Sequence, residues 1–104
     1  MDNPRLETLK TMLKKDPDDS FARYAVGLEY ASNNELEKAA EVFEQLIGSD
    51  SNYHAAYYQL GKIYEKLGEF DKAHKIYEKG IYVTASQSEF HAKEELESAL
   101  DELS

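Results

Sequence analysis

The sequence contains no cysteine. That excludes a disulfide framework and any thiolate chemistry. No apolar run approaches the ~20 residues that a membrane-spanning helix requires. The start, Met1-Asp2-Asn3-Pro4-Arg5, has neither an apolar stretch nor a small-residue cleavage pattern. A cytoplasmic protein with no membrane partner is expected. Cations are also short: 12 Lys and Arg stand against 21 Asp and Glu, for a formal net charge of -9. Binding to phosphate backbones needs a basic footprint, so no nucleic-acid partner is expected either.

Signals of catalysis are missing as well. There is no His-Glu-x-x-His helix and no Cys/His cluster. The three histidines, His54, His74 and His91, read as ordinary surface residues, with His91 facing Glu94 or Glu95. Asp16-Pro17-Asp18-Asp19 lacks the glycine and closing glutamate of a calcium loop, and serves better as a turn and helix cap. Carboxylates are plentiful but fall at helical spacing on wet faces, so none is marked out as a buried acid or base. No enzyme, no metal and no cofactor is expected.

What the sequence does contain is a repeat. From Tyr57 to Gly80, apolar and small residues recur at steps of three and four: Tyr57, Leu60, Gly61 and Tyr64, then Phe70, Ala73, Tyr77 and Gly80. Each half presents one helical stripe, and Gly68 between them is a helix stop. Displaced by 34 residues, the chain matches itself. Ala22, Tyr24, Gly27 and Tyr30 fall on Ala56, Tyr58, Gly61 and Tyr64. Glu35, Lys38, Ala39 and Glu44 fall on Glu69, Lys72, Ala73 and Glu78. Two helical hairpins of one design therefore stand in tandem. Glycine inside a helix costs ~1 kcal/mol against alanine. Gly27 and Gly61 are expected to repay this by letting the two backbones of each hairpin nearly touch, with Ala39 and Ala73 small for the same reason.

These residues give the chain its resemblance to the tetratricopeptide repeat family. That pattern places an aromatic, Leu-Gly and Tyr on a first helix, then Ala and an aromatic on a second. Tyr57, Leu60, Gly61, Tyr64, Gly68, Phe70, Ala73 and Tyr77 match it, as do Gly27, Tyr30, Ala39 and Phe43. Arg23, Asn34, Ser51 and Ala85 depart from it. The resemblance implies an all-α fold: a right-handed superhelical stack of antiparallel helix hairpins, an α-solenoid of about six helices. One domain, 1–104, is expected, with a half-repeat helix at 1–19, full repeats at 20–53 and 54–87, and an acidic capping helix at 88–104. Helices are predicted near 4–15, 19–32, 35–48, 53–67 and 70–83. The last starts at a capping box, Ser86-x-x-Glu89, and runs to about Leu103.

The resemblance also implies function. Tyr30, Phe43, Tyr57, Tyr64, Phe70 and Tyr77 occupy core positions. Phe21, Tyr24, Leu28, Tyr53, Tyr58, Lys62, Glu65 and Lys66 fall on the inner, concave side, where tyrosine supplies contact area at little entropic cost. The alternative for Tyr24 and Tyr58 is that they stack on each other and on the last helix, finishing the groove. Some family members clamp a peptide carboxylate with groove cations. Here the inner positions hold Tyr24, Leu28 and Gln59, with Glu89 and Lys93 on the last helix, so no clamp is carried over. A non-catalytic module that binds a peptide or helix of another protein is expected. Its ligand at Tyr58, Lys62 and Lys66 should be apolar with some acidic character. The second reading is structural self-association, a weak homodimer through the apolar edge at Leu6, Leu9 and Leu13 of the N-terminal helix or through the groove.

Overall fold

Side-chain caps set the first helix starts in the computed structural model, which describes residues 3–103. Asn3 Oδ1 accepts from the Leu6 backbone N–H at 3.1 Å, and Pro4 opens α1, Pro4–Lys15. Pro lacks the N–H that would otherwise be left unpaired there. Asp19 caps α2, Ser20–Ser32, by accepting from the Ala22 N–H at 3.0 Å. Four more helices follow: α3 Leu36–Ser49, α4 Ala55–Lys66, α5 Phe70–Ser86 and α6 Phe90–Leu103. Among the described residues there is no strand. Met1, Asp2 and Ser104, the outermost residues of the first and last predicted segments, lie outside the described residues.

Consecutive helices pack on one another, and α2 meets α4, and α4 meets α6, across the stack. One layer therefore holds α2, α4 and α6. The core runs through both layers and includes Phe43, Leu46, Leu60, Tyr77 and Leu96, each at most 1% exposed.

The hairpin glycines work differently from the expectation. A Cβ on Gly27 would stand 2.6 Å from Phe43 Cζ, and one on Gly61 would run into the ring of Tyr77. What fills each notch is an aromatic ring from the facing helix, laid against bare backbone, rather than a second backbone. Ala39 and Ala73 are fully buried.

One kind of turn follows α2, α4 and α5. The turns after α2 and α4 each place one residue in the left-handed region, Asn34 at φ 62° and Gly68 at φ 76°. In each, the next N–H returns to a carbonyl five residues back: Glu35 to Tyr30 at 2.9 Å, Glu69 to Tyr64 at 2.8 Å. This is the Schellman closure. The chain uses the same closure after α5, with Ser88 at φ 58° and the Glu89 N–H on Thr84 O at 2.9 Å. The predicted capping box does not form. Ser86 is still helical, and its hydroxyl donates to Val83 O at 2.7 Å. Val83 and Thr84 are weak helix formers, yet α5 continues through them. Packing decides: Thr84 is fully buried and its hydroxyl donates to Gly80 O at 2.8 Å, while Gly80 admits Leu96 of α6 and Tyr57 of α4.

Phe70 is a second correction. It was expected in the core and is 57% exposed. As the first residue of α5 it leans back toward the helix N-terminus. There Gly68 offers no side chain to pack against.

Candidate protein-interaction groove

The inner face is built where α4 lies between α2 and α6. Tyr24 of α2 is wedged by other rings: Phe43 at 5.7 Å between centroids and Tyr53 at 5.3 Å, both tilted. Burial pushes the Tyr24 hydroxyl above its usual pKa, and a hydrogen bond with Gln59 works against that shift. Burial also raises Tyr53. No ring contact joins Tyr24 to Tyr58. Instead both line one hollow of ≈ 230 Å³, with His54, Ala55 and Gln59 of the α4 end and Ala92, Glu95 and Leu96 of α6.

Tyr58 and Glu95 also line a second hollow of ≈ 300 Å³. Its other walls are Lys62 of α4 and His91, Glu94, Ser98, Ala99 and Glu102 of α6. Lys62 Nζ sits 5.5 Å from the Tyr58 ring centroid and 3.7 Å from a Glu65 carboxylate oxygen. Glu65 in turn accepts the Tyr77 hydroxyl proton. Desolvation first, and then this hydrogen bond, hold the Tyr77 phenol well above the usual tyrosine range. The Tyr64 phenol is raised in the same way, by burial and then by Glu44, which accepts its proton at 2.5 Å. Lys62 and Glu65 are thus engaged within the molecule.

The structure brings Tyr24, Tyr58 and Lys62 together, with Tyr53 behind Tyr24 and Glu65 beside Lys62. Phe21 and Leu28, 66% and 37% exposed, lie on α2 outside both hollows. Lys66 is exposed and lines neither. Glu89, in the turn before α6, and Lys93 of α6 do not line the hollows, and Lys93 pairs with Glu97 at 3.3 Å. The wall they were expected to supply is made by His91, Glu94, Glu95, Ser98 and Glu102. These fall at helical steps of three and four, so the stripe is visible in the sequence. The 34-residue shift misplaces it because α5 runs one turn further than α3's counterpart would.

Among the described residues no cluster of His, Asp and Glu is disposed to hold a metal ion. No helix of the described residues is long and apolar enough to cross a membrane.

The tetratricopeptide repeat family model matches residues 1–84. A tetratricopeptide repeat domain protein from Salinibacter ruber, in a solution structure, is 35% identical, with 85% of this chain and 89% of that chain covered and a TM-score of 0.80. Its crystal structure gives 34% identity, 82% and 96% coverage, and a TM-score of 0.78. Protein BPP2914 from Bordetella parapertussis is 25% identical over 99% of this chain and 89% of that one, with a TM-score of 0.83. A search of curated proteins found no significant match. With aromatic rings seated in glycine notches in two successive hairpins, and a family model spanning most of its length, the chain belongs to the tetratricopeptide repeat family.

Proposed function

We propose that the chain is a non-catalytic interaction module that takes a peptide or helix of another protein along the inner face of α2, α4 and α6. The observation that carries this reading is the pair of adjoining hollows that share Tyr58. Tyr24 and Tyr58 supply the rigid aromatic surface that a peptide anchor requires, and the polar groups around them can fix its orientation. The family generally serves protein interaction, which supports the same reading. We read residues 20–53 and 54–87 as its two full repeats, 1–19 as a half-repeat and 88–104 as the cap.

Self-association through the first helix is the weaker alternative. That helix carries Arg5, Lys10, Lys14 and Lys15 against Glu7 alone. Two copies meeting on that edge would bring like charges together.

Affinity selection from a displayed library of random dodecapeptides tests the groove. Peptides enriched on the wild-type protein should lose binding to the double variant Tyr24→Ala/Tyr58→Ala. Peptides that bind both proteins equally well would refute the proposal.

A further inference from the structure

The two hollows differ in character. The one beside Tyr24 is walled by Ala55, Ala92 and Leu96 as well as two tyrosines. The one beyond Tyr58 is acidic. Glu94, Glu95 and Glu102 line it, and Glu65 stands behind Lys62. Four carboxylates therefore meet one ammonium. That ammonium is held by Glu65 and by the Tyr58 ring face. Glu95 pairs with His91 at 3.7 Å, an ion pair only when the imidazole is protonated. Neither Glu94 nor Glu102 is in an ion pair among the described residues. Lys66, the other cation expected to attract an acidic ligand, lines neither hollow.

Three carboxylates along the α6 wall of one hollow give it a negative field, so complementary cations are steered in and anions turned away. From this charge pattern, and resting on the groove reading above, we infer that the α4–α6 cleft takes a partner segment carrying an apolar side chain beside an arginine or lysine. The apolar side chain packs between Tyr24, Tyr58 and Leu96. The cation sits beyond Tyr58, among Glu94, Glu95 and Glu102. This reverses the ligand character that Lys62 and Lys66 alone imply. Lys62 becomes the competitor of the incoming cation, since it already covers the Tyr58 ring.

The overall charge of the chain attracts cations everywhere, so the test separates the cleft from the rest of the surface. Two pools of end-blocked hexapeptides serve as probes, each with a central phenylalanine flanked by two arginines or by two glutamates and random residues elsewhere. Fluorescence anisotropy measures their binding to four proteins. On the wild type the arginine pool should bind at least about tenfold tighter than the glutamate pool. The variant Glu94→Gln/Glu95→Gln/Glu102→Gln should lose that ratio. The variant Glu37→Gln/Glu41→Gln/Glu78→Gln, neutralised at exposed positions away from the cleft, should keep it. Lys62→Ala should bind the arginine pool more tightly than wild type. All seven positions are exposed or half-exposed, so circular dichroism should show all four proteins folded. The inference is overturned if neither pool binds, if the glutamate pool binds better, if both triple variants lose the ratio equally, or if Lys62→Ala weakens the arginine pool. Each of those results leaves the groove itself to be judged by the Tyr24 and Tyr58 variants, so the two ideas fail separately.

Discussion

At Gly61 the ring of Tyr77 occupies the space a Cβ would need, and at Gly27 the ring of Phe43 does the same with slightly more room. The helix tolerates the entropic cost of each glycine because the outer edge of the ring comes close to bare backbone there. Tyr77 has a further tie, its hydroxyl on Glu65, and so less freedom to retreat. Gly61→Ala should therefore cost about 3 kcal/mol, at the upper end of overpacking effects, and Gly27→Ala about 1–2 kcal/mol. Urea unfolding followed by circular dichroism checks the order. Equal midpoints for both variants and wild type would mean the rings are free to move aside. The need for glycine at these positions was legible in the sequence from the 34-residue coincidence. Its physical reason was not, because helical spacing gives the position of a side chain but not what fills the gap facing it.

Among elements, the connection between α5 and α6 departs most from the repeat. The turn that closes each hairpin recurs after α5, and it lays α6 antiparallel on α5. The helix start at Asn3-Pro4 and the stop at Gly68 were readable from residue type alone, whereas the cap of α2 was narrowed only to Asp18, Asp19 or Ser20 and the stop after it only to Asn33-Asn34. Ser88 was not, because serine carries no left-handed preference. The extra turn of α5 was hidden as well, since Thr84 argues locally for an end and only its burial in the folded molecule favours continuing the helix. Ser88 at φ 58° bears the strain that glycine avoids at φ 76° in Gly68. Ser88→Gly should raise the melting temperature by a few degrees, the equivalent of about 0.5 kcal/mol after the added freedom of the unfolded chain is counted. A lower melting temperature would show that Ser88 is held there by contacts that outweigh its backbone strain.

As a whole molecule the protein is a slab of 39 × 29 × 20 Å, with a radius of gyration of 13.8 Å against about 13 Å for a compact chain of this length. Such a shape leaves one long inner face and places many tyrosines half within the core. Tyr24, Tyr53, Tyr57, Tyr64 and Tyr77 all have raised pKa values, burial being the first cause in each. The native state therefore keeps protons that the unfolded chain releases near the ordinary tyrosine value of 10.0. Stability from these groups is fully present below that pH and declines as pH rises above it. Urea midpoints should hold steady from pH 7 to about 9.5 and fall steeply by pH 11. A midpoint independent of pH across that range would contradict the burial of the phenols. The aromatic half of the inner face, Tyr24 and Tyr58, was legible from the repeat. The acidic stripe was visible too, but its place on the inner face was not, because α6 lies outside the repeat register and its facing residues depend on where α5 ends. The functional account is tested most directly by following backbone amide shifts of the labelled protein as a library-selected peptide is added. The account predicts the largest shifts at Tyr24, Tyr58, Gln59 and Glu95, with α3 and the outer face of α5 nearly still. Largest shifts on α3 or the exposed side of α5 would contradict it.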